Sequence, residues 1–96
     1  MTVRIGHHEF DDVSYDANGD VLYLSAGAPA DADAGDGTPE GHFVRFDDGG
    51  RVVGVTLVNP RWLIDRDGKL TVTLPGEAVT ELDAEALAPA LSSAGR

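Results

Sequence analysis

The fold is decided by two stretches, residues 14–24 (S-Y-D-A-N-G-D-V-L-Y-L) and residues 43–58 (F-V-R-F-D-D-G-G-R-V-V-G-V-T-L-V). Both are rich in β-branched and aromatic residues, and each contains a short polar break with glycine of the kind that closes β-hairpins. We therefore expect the two stretches to pair with one another as the centre of an antiparallel sheet.

Turns and strands within these stretches follow from local sequence. Residues 16–19 (D-A-N-G) predict a hairpin loop that Gly19 closes with a positive φ. The strand after it, residues 21–26, is apolar on both faces, so we expect it to be covered on both sides. Residues 47–50 (D-D-G-G) predict the second turn, and Gly54 beyond it indicates a bulge or a close neighbour such as an aromatic ring.

The segments before and between these stretches are less apolar. Residues 3–5 alternate in polarity and predict an edge strand, while residues 9–15 predict a peripheral strand with Val13 and Tyr15 on one face. Residues 27–41 (G-A-P-A-D-A-D-A-G-D-G-T-P-E-G) contain almost no large side chain and predict a mobile acidic loop.

The C-terminal extension, residues 59–96, begins with Asn59-Pro60, a good helix start. It predicts a helix over 60–66 that carries Trp62 and Leu63 inward; the alternative is a hairpin in which residues 61–65 turn into the strand at 69–74. That strand alternates cleanly in either case.

A short helix over residues 83–88, capped by Asp83 or Thr80, should end before Pro89, because proline disfavours helix at the preceding residue. The fold class is therefore α+β, a single domain with an antiparallel meander of about five or six strands and a short C-terminal helix.

The strand pattern also predicts which side chains are buried. The expected core consists of Val21, Leu22, Tyr23, Leu24, Val44, Phe46, Val53, Val55, Leu57, Trp62, Leu70, Val72 and Leu74. One short helix cannot cover both faces of such a sheet. We therefore expect a homodimer, formed through the sheet or through the face bearing Trp62 and the C-terminal apolar residues.

Charge and composition exclude several classes of partner. Seven basic against seventeen acidic residues give a net charge of −10, which disfavours nucleic acid and anionic membranes and allows a basic protein partner. There is no cysteine, and hence no disulfide and no thiolate metal site. No apolar run is long enough for a signal peptide or a membrane span, so we expect a soluble, cytoplasmic protein.

Candidate metal ligands are few. His7, His8 and His42 are the only histidines, and because neighbouring side chains on a strand point to opposite faces, we expect them to be solvated rather than to share a metal. The D-x-N-x-D run at 16–20 resembles a calcium loop only in its first half. The acidic residues Asp31, Asp33 and Asp36 offer at most a weak divalent site.

Catalytic groups are not displayed by any motif. The side chains of Asp11 and Asp12 should point to opposite faces of a strand, and Asp47-Asp48 should belong to a turn. The serines Ser25, Ser92 and Ser93 lack an adjacent base. We therefore predict no catalytic, cofactor-binding or metal residue and no cofactor. Enzymatic activity is left open, since it would require a constellation of residues that the sequence does not display.

A family resemblance covers about half of the chain. Tyr15-Asp16, residues 20–24 (D-V-L-Y-L), Phe46-Asp47 and residues 50–55 (G-R-V-V-G-V) make the sequence similar to the small bacterial proteins catalogued as domain of unknown function 2283. The resemblance implies an antiparallel β-rich unit over residues 14–58 and no activity to transfer. Thr56 departs from it, because such proteins often have an acidic residue there.

Three functions fit this pattern. The first is a non-catalytic interaction or assembly module, since the turns and core are well specified and no reactive group is displayed. The second is an acidic, antitoxin-like partner of a basic protein, which the charge favours. The third is a weak metal or small-molecule binding protein that uses His7, His8 or residues 31–36.

Overall fold

The computed structural model describes residues 2–27 and 34–92 and consists of nine strands and two helices within those ranges. In chain order they are β1 (Val3–Ile5), β2 (His8–Phe10), β3 (Asp12–Asp16), β4 (Val21–Ser25), β5 (Ala34–Gly37), β6 (Phe43–Phe46), β7 (Val52–Val58), α1 (Pro60–Asp67), β8 (Lys69–Thr73), β9 (Val79–Asp83) and α2 (Ala84–Leu91). In the described part of the chain, neither helix is long and apolar enough to cross a membrane.

The centre of the molecule is a five-stranded antiparallel sheet with the order β3-β4-β7-β6-β5. Its middle is the β4–β7 pair, in which Leu22 lies opposite Leu57 and Leu24 opposite Val55. The predicted pairing of the two defining stretches is therefore confirmed, and so is the α+β class. Two separate hairpins, β1–β2 and β8–β9, complete the strands of the described residues.

The core lies on one face of this sheet, where the side chains alternate inward as the period-two pattern requires. It forms a single cluster with the inward residues of both small hairpins and of α2. Eight residues of the predicted core are buried, namely Leu22, Leu24, Val44, Val55, Leu57, Leu70, Val72 and Leu74. Val21, Phe46 and Val53 are only half-buried.

Two residues of the predicted core are exposed. Tyr23 of β4 is 46% exposed, so the prediction that β4 is covered on both faces is wrong. Trp62 of α1 is 53% exposed, so the prediction that this helix carries Trp62 inward is wrong as well. In the described structure α1 packs against β8, while α2 packs against β1, β3 and β9. Neither helix therefore screens the other face of β4 from solvent.

The segment 9–15 is not one strand. The chain breaks at Asp11, and Phe10 belongs to the β1–β2 hairpin, where it pairs with Val3 and is fully buried. Tyr15 remains in β3 and is buried against the sheet. The prediction of a single strand failed because neither glycine nor proline marks the break, although Phe10 is out of phase with Val13 and Tyr15.

Part of the stretch predicted to be a loop, residues 27–41, is a strand. Ala34–Gly37 forms β5 at the edge of the sheet, with Gly37 opposite Phe43 and Ala34 opposite Phe46. Small side chains did not prevent pairing, because the ladder is made by the backbone. Asp31 and Asp33 lie outside the described residues.

Both helices begin as predicted and differ at their ends. The helix prediction over 60–66 is confirmed against the hairpin alternative, and α1 ends at Gly68 in a left-handed conformation. In α2, Asp83 accepts a hydrogen bond from the Ala86 N–H at 2.8 Å, but the helix continues through Pro89. Proline in the last turn removes a single backbone bond, and burial of the following residues offsets that loss.

Candidate functional site

The face of the five-stranded sheet that points away from the core carries its exposed aromatic residues, and we call it the outer face. One cross-strand row consists of Tyr23 on β4, Thr56 on β7 and Phe43 on β6. Phe43 is 57% exposed and Tyr23 46%. With strands about 4.8 Å apart, the Cα atoms of Tyr23 and Phe43 lie roughly 10 Å from each other, and Thr56 lies between them.

The next row of the outer face is built around Gly54. It pairs with Ser25 on one side and with Arg45 on the other. A Cβ atom at Gly54 would lie 2.9 Å from both Nε and Nη2 of Arg45, so the guanidinium lies directly over this glycine. The close neighbour predicted at Gly54 is thus an arginine and not an aromatic ring. The ladder also shifts register between Arg45 and Phe46, which is the predicted irregularity.

Charge is unevenly distributed on the outer face. Asp12 and Asp16 belong to β3 at one side, opposite Ser25 and Val21 of β4. The Ser25 hydroxyl donates to Asp12 Oδ2 at 3.4 Å. Arg45 lies on the other half of the sheet, two strands away from β4. The outer face therefore has an acidic side, an aromatic centre and a basic side.

The D-x-N-x-D run does not form a cation site. Asp16 Oδ1 accepts hydrogen bonds from the backbone N–H groups of Asn18 and Gly19, at 3.1 and 3.3 Å, as a hairpin turn requires. The positive φ of this turn belongs to Asp20, at 52°, and not to Gly19 as predicted. The Asp20 carboxylate is turned away toward α1.

Asp20 caps α1 from a distant turn. Its Oδ1 and Oδ2 accept hydrogen bonds from the backbone N–H groups of Arg61 and Trp62, each at 3.1 Å. The Tyr15 hydroxyl donates to Asp20 Oδ1 at 2.7 Å, and burial, followed by this bond, raises the pKa of Tyr15. The predicted cap, Asn59, has a φ of 57° and makes no side-chain cap bond with any described residue.

The histidines occupy two different environments. The prediction that all three are solvated is wrong, and so is the prediction that His7 and His8 point to opposite faces of a strand. His42 is 1% exposed, and its Nδ1 accepts a hydrogen bond from the Val58 N–H at 3.0 Å. Its Nε2 must then carry the proton, and it makes no hydrogen bond of ordinary geometry with a described atom, although the Thr71 backbone is close enough to favour the protonated ring. Burial lowers the pKa of His42, although the Thr71 backbone and Glu40 partly oppose this effect.

His7 and His8 converge on one carboxylate. His8 Nε2 lies 2.6 Å from Glu77 Oε2, and His7 Nδ1 lies 3.7 Å from Glu77 Oε1. The two imidazole rings have centroids 4.2 Å apart. The predicted divergence fails because His7 belongs to a two-residue turn and only His8 to a strand. Glu77, in the connection between β8 and β9, was not predicted from the sequence at all.

The remaining candidate carboxylates have local structural roles. Asp47 Oδ1 accepts hydrogen bonds from the Gly49 and Arg51 N–H groups, both at 2.9 Å, which confirms its place in a turn. Bonds from the Arg51 backbone hold the pKa of Asp47 below its usual value. Asp36 Oδ1 accepts a bond from the adjacent Gly37 N–H at 2.9 Å.

Glu40 is a second residue that the sequence did not single out. Its carboxylate accepts hydrogen bonds from Thr73 N–H at 2.9 Å and from Thr73 Oγ1 at 2.6 Å. Partial burial opposes ionisation, yet these bonds hold the pKa of Glu40 below its ordinary value. Glu40 thereby fastens the turn between β5 and β6 to β8, beside buried His42.

Comparison with known proteins adds no further information. The chain matches no family model, and neither the curated proteins nor the solved structures contain a match to it. The resemblance to domain of unknown function 2283 therefore stays a prediction.

Proposed function

We propose that the protein is a non-catalytic assembly module that forms a homodimer through the outer face. The observation that carries this proposal is the exposure of Tyr23 and Phe43 in the middle of the sheet, where both strands are otherwise well ordered by pairing. Exposed aromatic residues at the centre of a sheet face are typical of protein interfaces.

The outer face is complementary to a second copy of itself. A two-fold axis parallel to the strands places the β6 half of one copy over the β4 half of the other. Tyr23 of each copy then lies over Phe43 of the other, and Arg45 lies opposite the Ser25–Asp12 pair. The uneven charge of the outer face thus becomes a favourable arrangement in such a dimer.

The other surface considered for dimerisation is less suitable. The C-terminal apolar residues Leu87, Ala90 and Leu91 are buried within the chain's own core. Trp62 is exposed, but the guanidinium of Arg66 lies 4.4 Å above its ring. This contact already covers part of the ring with a cation, so little apolar surface remains there to pair.

The dimer is tested by molar mass. Sedimentation velocity in moderate salt at micromolar concentration should give twice the chain mass of 10.0 kDa. Tyr23→Ser and Phe43→Ser should each shift the protein to monomer, because each removes one of the two aromatic side chains that meet in the dimer. Val79→Ser is the matched control, because Val79 is 58% exposed on β9 and lies off the outer face.

A charge exchange tests the proposed orientation. Arg45→Asp should weaken the dimer, and adding Asp12→Arg to the same chain should restore it, since the opposing pair is then re-formed with reversed sign. A parent protein that sediments as a monomer at every concentration would contradict the proposal. So would a dimer that is insensitive to both aromatic substitutions.

The net charge favours a second candidate, an acidic antitoxin-like partner of a basic protein. Such a complex would weaken steeply with salt, because seventeen acidic residues provide its attraction. If the parent is monomeric and a purified basic partner binds it in this salt-dependent way, this second function replaces the first.

A further inference from the structure

The turn between β1 and β2 brings two histidines together. Ile5 and His8 form the last pair of this hairpin, so that only Gly6 and His7 lie between the strands. Gly6 has a φ of 61°, as expected for the first position of a type II′ turn, where glycine is preferred. This geometry lets His7 turn back beside His8, which a regular strand forbids.

A second hairpin supplies the carboxylate. Glu77 follows the turn at Pro75-Gly76 and is fixed by its N–H, which donates to the Leu74 carbonyl at 3.0 Å. A Cβ atom placed on Gly6 would lie 3.7 Å from Glu77 Oε1, so the two turns are in contact. One ligand atom from each of His7, His8 and Glu77 lies within 4.8 Å of the others.

We propose that His7, His8 and Glu77 form a binding site for a divalent transition-metal ion, with Zn²⁺ as the representative ion. Two imidazole nitrogens and one carboxylate oxygen are donors that zinc binds, whereas calcium and magnesium favour sites made of oxygen. The remaining coordination positions are left to water or to an added ligand. This site is independent of the proposed dimer, because none of its three residues belongs to the five-stranded sheet.

Small side-chain movements are enough to bind the ion. Tetrahedral zinc with bonds of about 2.0–2.1 Å holds its donors roughly 3.3 Å apart. His8 Nε2 lies 2.6 Å from Glu77 Oε2 and His7 Nδ1 lies 3.7 Å from Glu77 Oε1, so one distance is below that value and the other above it. The two imidazoles face different oxygens of the carboxylate, and a rotation of the His7 side chain brings both to the same ion. The His7 side chain is 79% exposed and can rotate freely. Binding replaces the hydrogen bond between His8 Nε2 and Glu77 Oε2 with bonds from both atoms to the metal.

Charge around the three ligands permits a cation. The site opens into a cleft that Arg51, Phe46 and Pro75 also line. Arg51 is the nearby positive charge in this lining, and its Nε lies 3.0 Å from Asp47 Oδ2. This ion pair reduces its repulsion of a bound metal. The protein's net charge of −10 adds a general attraction for cations.

An ordinary ion pair between His8 and Glu77 does not account for the position of His7. The His7 side chain is 79% exposed, yet its Nδ1 lies 3.7 Å from Glu77 Oε1 and its ring centroid lies 4.2 Å from that of His8. A metal ion bound by all three side chains explains why this exposed ring lies beside the other two groups.

The test measures binding of Zn²⁺ and Co²⁺ to the metal-free full chain. Calorimetry should give saturable binding with one ion per chain, and Co²⁺ should develop the visible absorption of nitrogen-ligated cobalt. Glu77→Gln and His8→Gln should each weaken binding at least tenfold, and His7→Ala, at an exposed position, should do so without affecting folding. Glu81→Gln is the matched control, because this carboxylate in the same hairpin pairs with Lys69.

Three results would overturn the site. The first is the absence of saturable binding at millimolar Zn²⁺. The second is binding that none of the substitutions His7→Ala, His8→Gln and Glu77→Gln weakens. The third is binding that is lost instead in the combined variant Asp31→Asn, Asp33→Asn and Asp36→Asn. Circular dichroism of each variant separates loss of ligands from loss of fold. The molar mass of the metal-free protein tests the dimer separately, so failure of one proposal is distinguishable from failure of the other.

Discussion

The Asp20 carboxylate accepts a hydrogen bond from the backbone N–H of Trp62, although the two residues belong to different units of the chain. Asp20 lies in the turn between β3 and β4, and Trp62 lies in the first turn of α1. The Asp20 carbonyl also accepts a bond from the Asn59 N–H at 2.8 Å. The start of α1 is therefore fixed by the β-hairpin and not by its own preceding residue.

Asp20→Ala should destabilise the protein by about 1–2 kcal/mol, the usual cost of removing a helix cap. The variant also leaves the Tyr15 hydroxyl without its acceptor, so Tyr15→Phe should recover part of that loss in the double variant. Urea unfolding followed by Trp62 fluorescence measures both effects. Asp65→Ala, an exposed aspartate within α1, is the control and should change stability by less than about 0.5 kcal/mol.

Leu22→Ala should cost about 2–5 kcal/mol, because Leu22 is fully buried in the middle of the sheet. Its neighbour Tyr23 points to the opposite face and is about half exposed. Tyr23→Ser should therefore affect the stability of the isolated chain far less than Leu22→Ala does. If both variants melted at the same temperature as the parent, the assignment of the two faces would be incorrect.

Stability should fall as the pH is lowered from about 6.5 toward the reduced folded-state pKa of His42. The sign follows from burial: the unfolded state binds this proton at a higher pH than the folded state, so acid favours unfolding. Each unit of separation between the two pKa values is worth about 1.4 kcal/mol. His42→Asn, whose Oδ1 can replace Nδ1 as acceptor for Val58, should flatten this part of the stability–pH curve. An unchanged slope would contradict the assignment to His42.

Gly54→Ala should be nearly neutral, within about 0.5 kcal/mol, because two effects oppose each other. Alanine is favoured over glycine in a strand by about 0.5–1 kcal/mol. However, its Cβ must displace the Arg45 guanidinium, which is exposed and flexible. In an Arg45→Ala background the same substitution should be stabilising, and a double-mutant cycle by chemical unfolding measures the difference. Additive effects would show that Arg45 does not rest on Gly54.

The sequence was sufficient for the strands whose pattern is local. Alternation and turn residues predicted β1, β4, β6, β7, β8 and the start of both helices. Burial was predicted less well. Tyr23 and Trp62 are apolar enough for a core, but they are exposed because no neighbouring element of the described structure packs over them. Ala34–Gly37 was missed because its side chains carry no pattern, and only its position beside Phe43–Phe46 makes it a strand.

The candidate metal ligands could be predicted only in part. His7 and His8 are visible as a pair, and Gly6 before them is compatible with a tight turn. Glu77 is some seventy positions away in a different hairpin, and its approach depends on how the two hairpins pack. The cap by Asp20 was also missed, because Asp20 is distant from α1 in the sequence. Asn59 directly precedes the helix and has a side chain suited to capping, but in its left-handed backbone conformation it makes no side-chain cap bond.

The pairing of β4 with β7 also determines the order in which the chain can fold. The β3–β4 and β6–β7 pairs each close locally, whereas β4 meets β7 only after the chain has looped back past β5 and β6. Closing that loop costs entropy before Leu22 and Leu57 make any contact, so we expect docking of the two preformed pairs to be the slow step. Substitutions at the contacts between β4 and β7 should therefore slow folding, and those in the separate β1–β2 and β8–β9 hairpins should mainly accelerate unfolding.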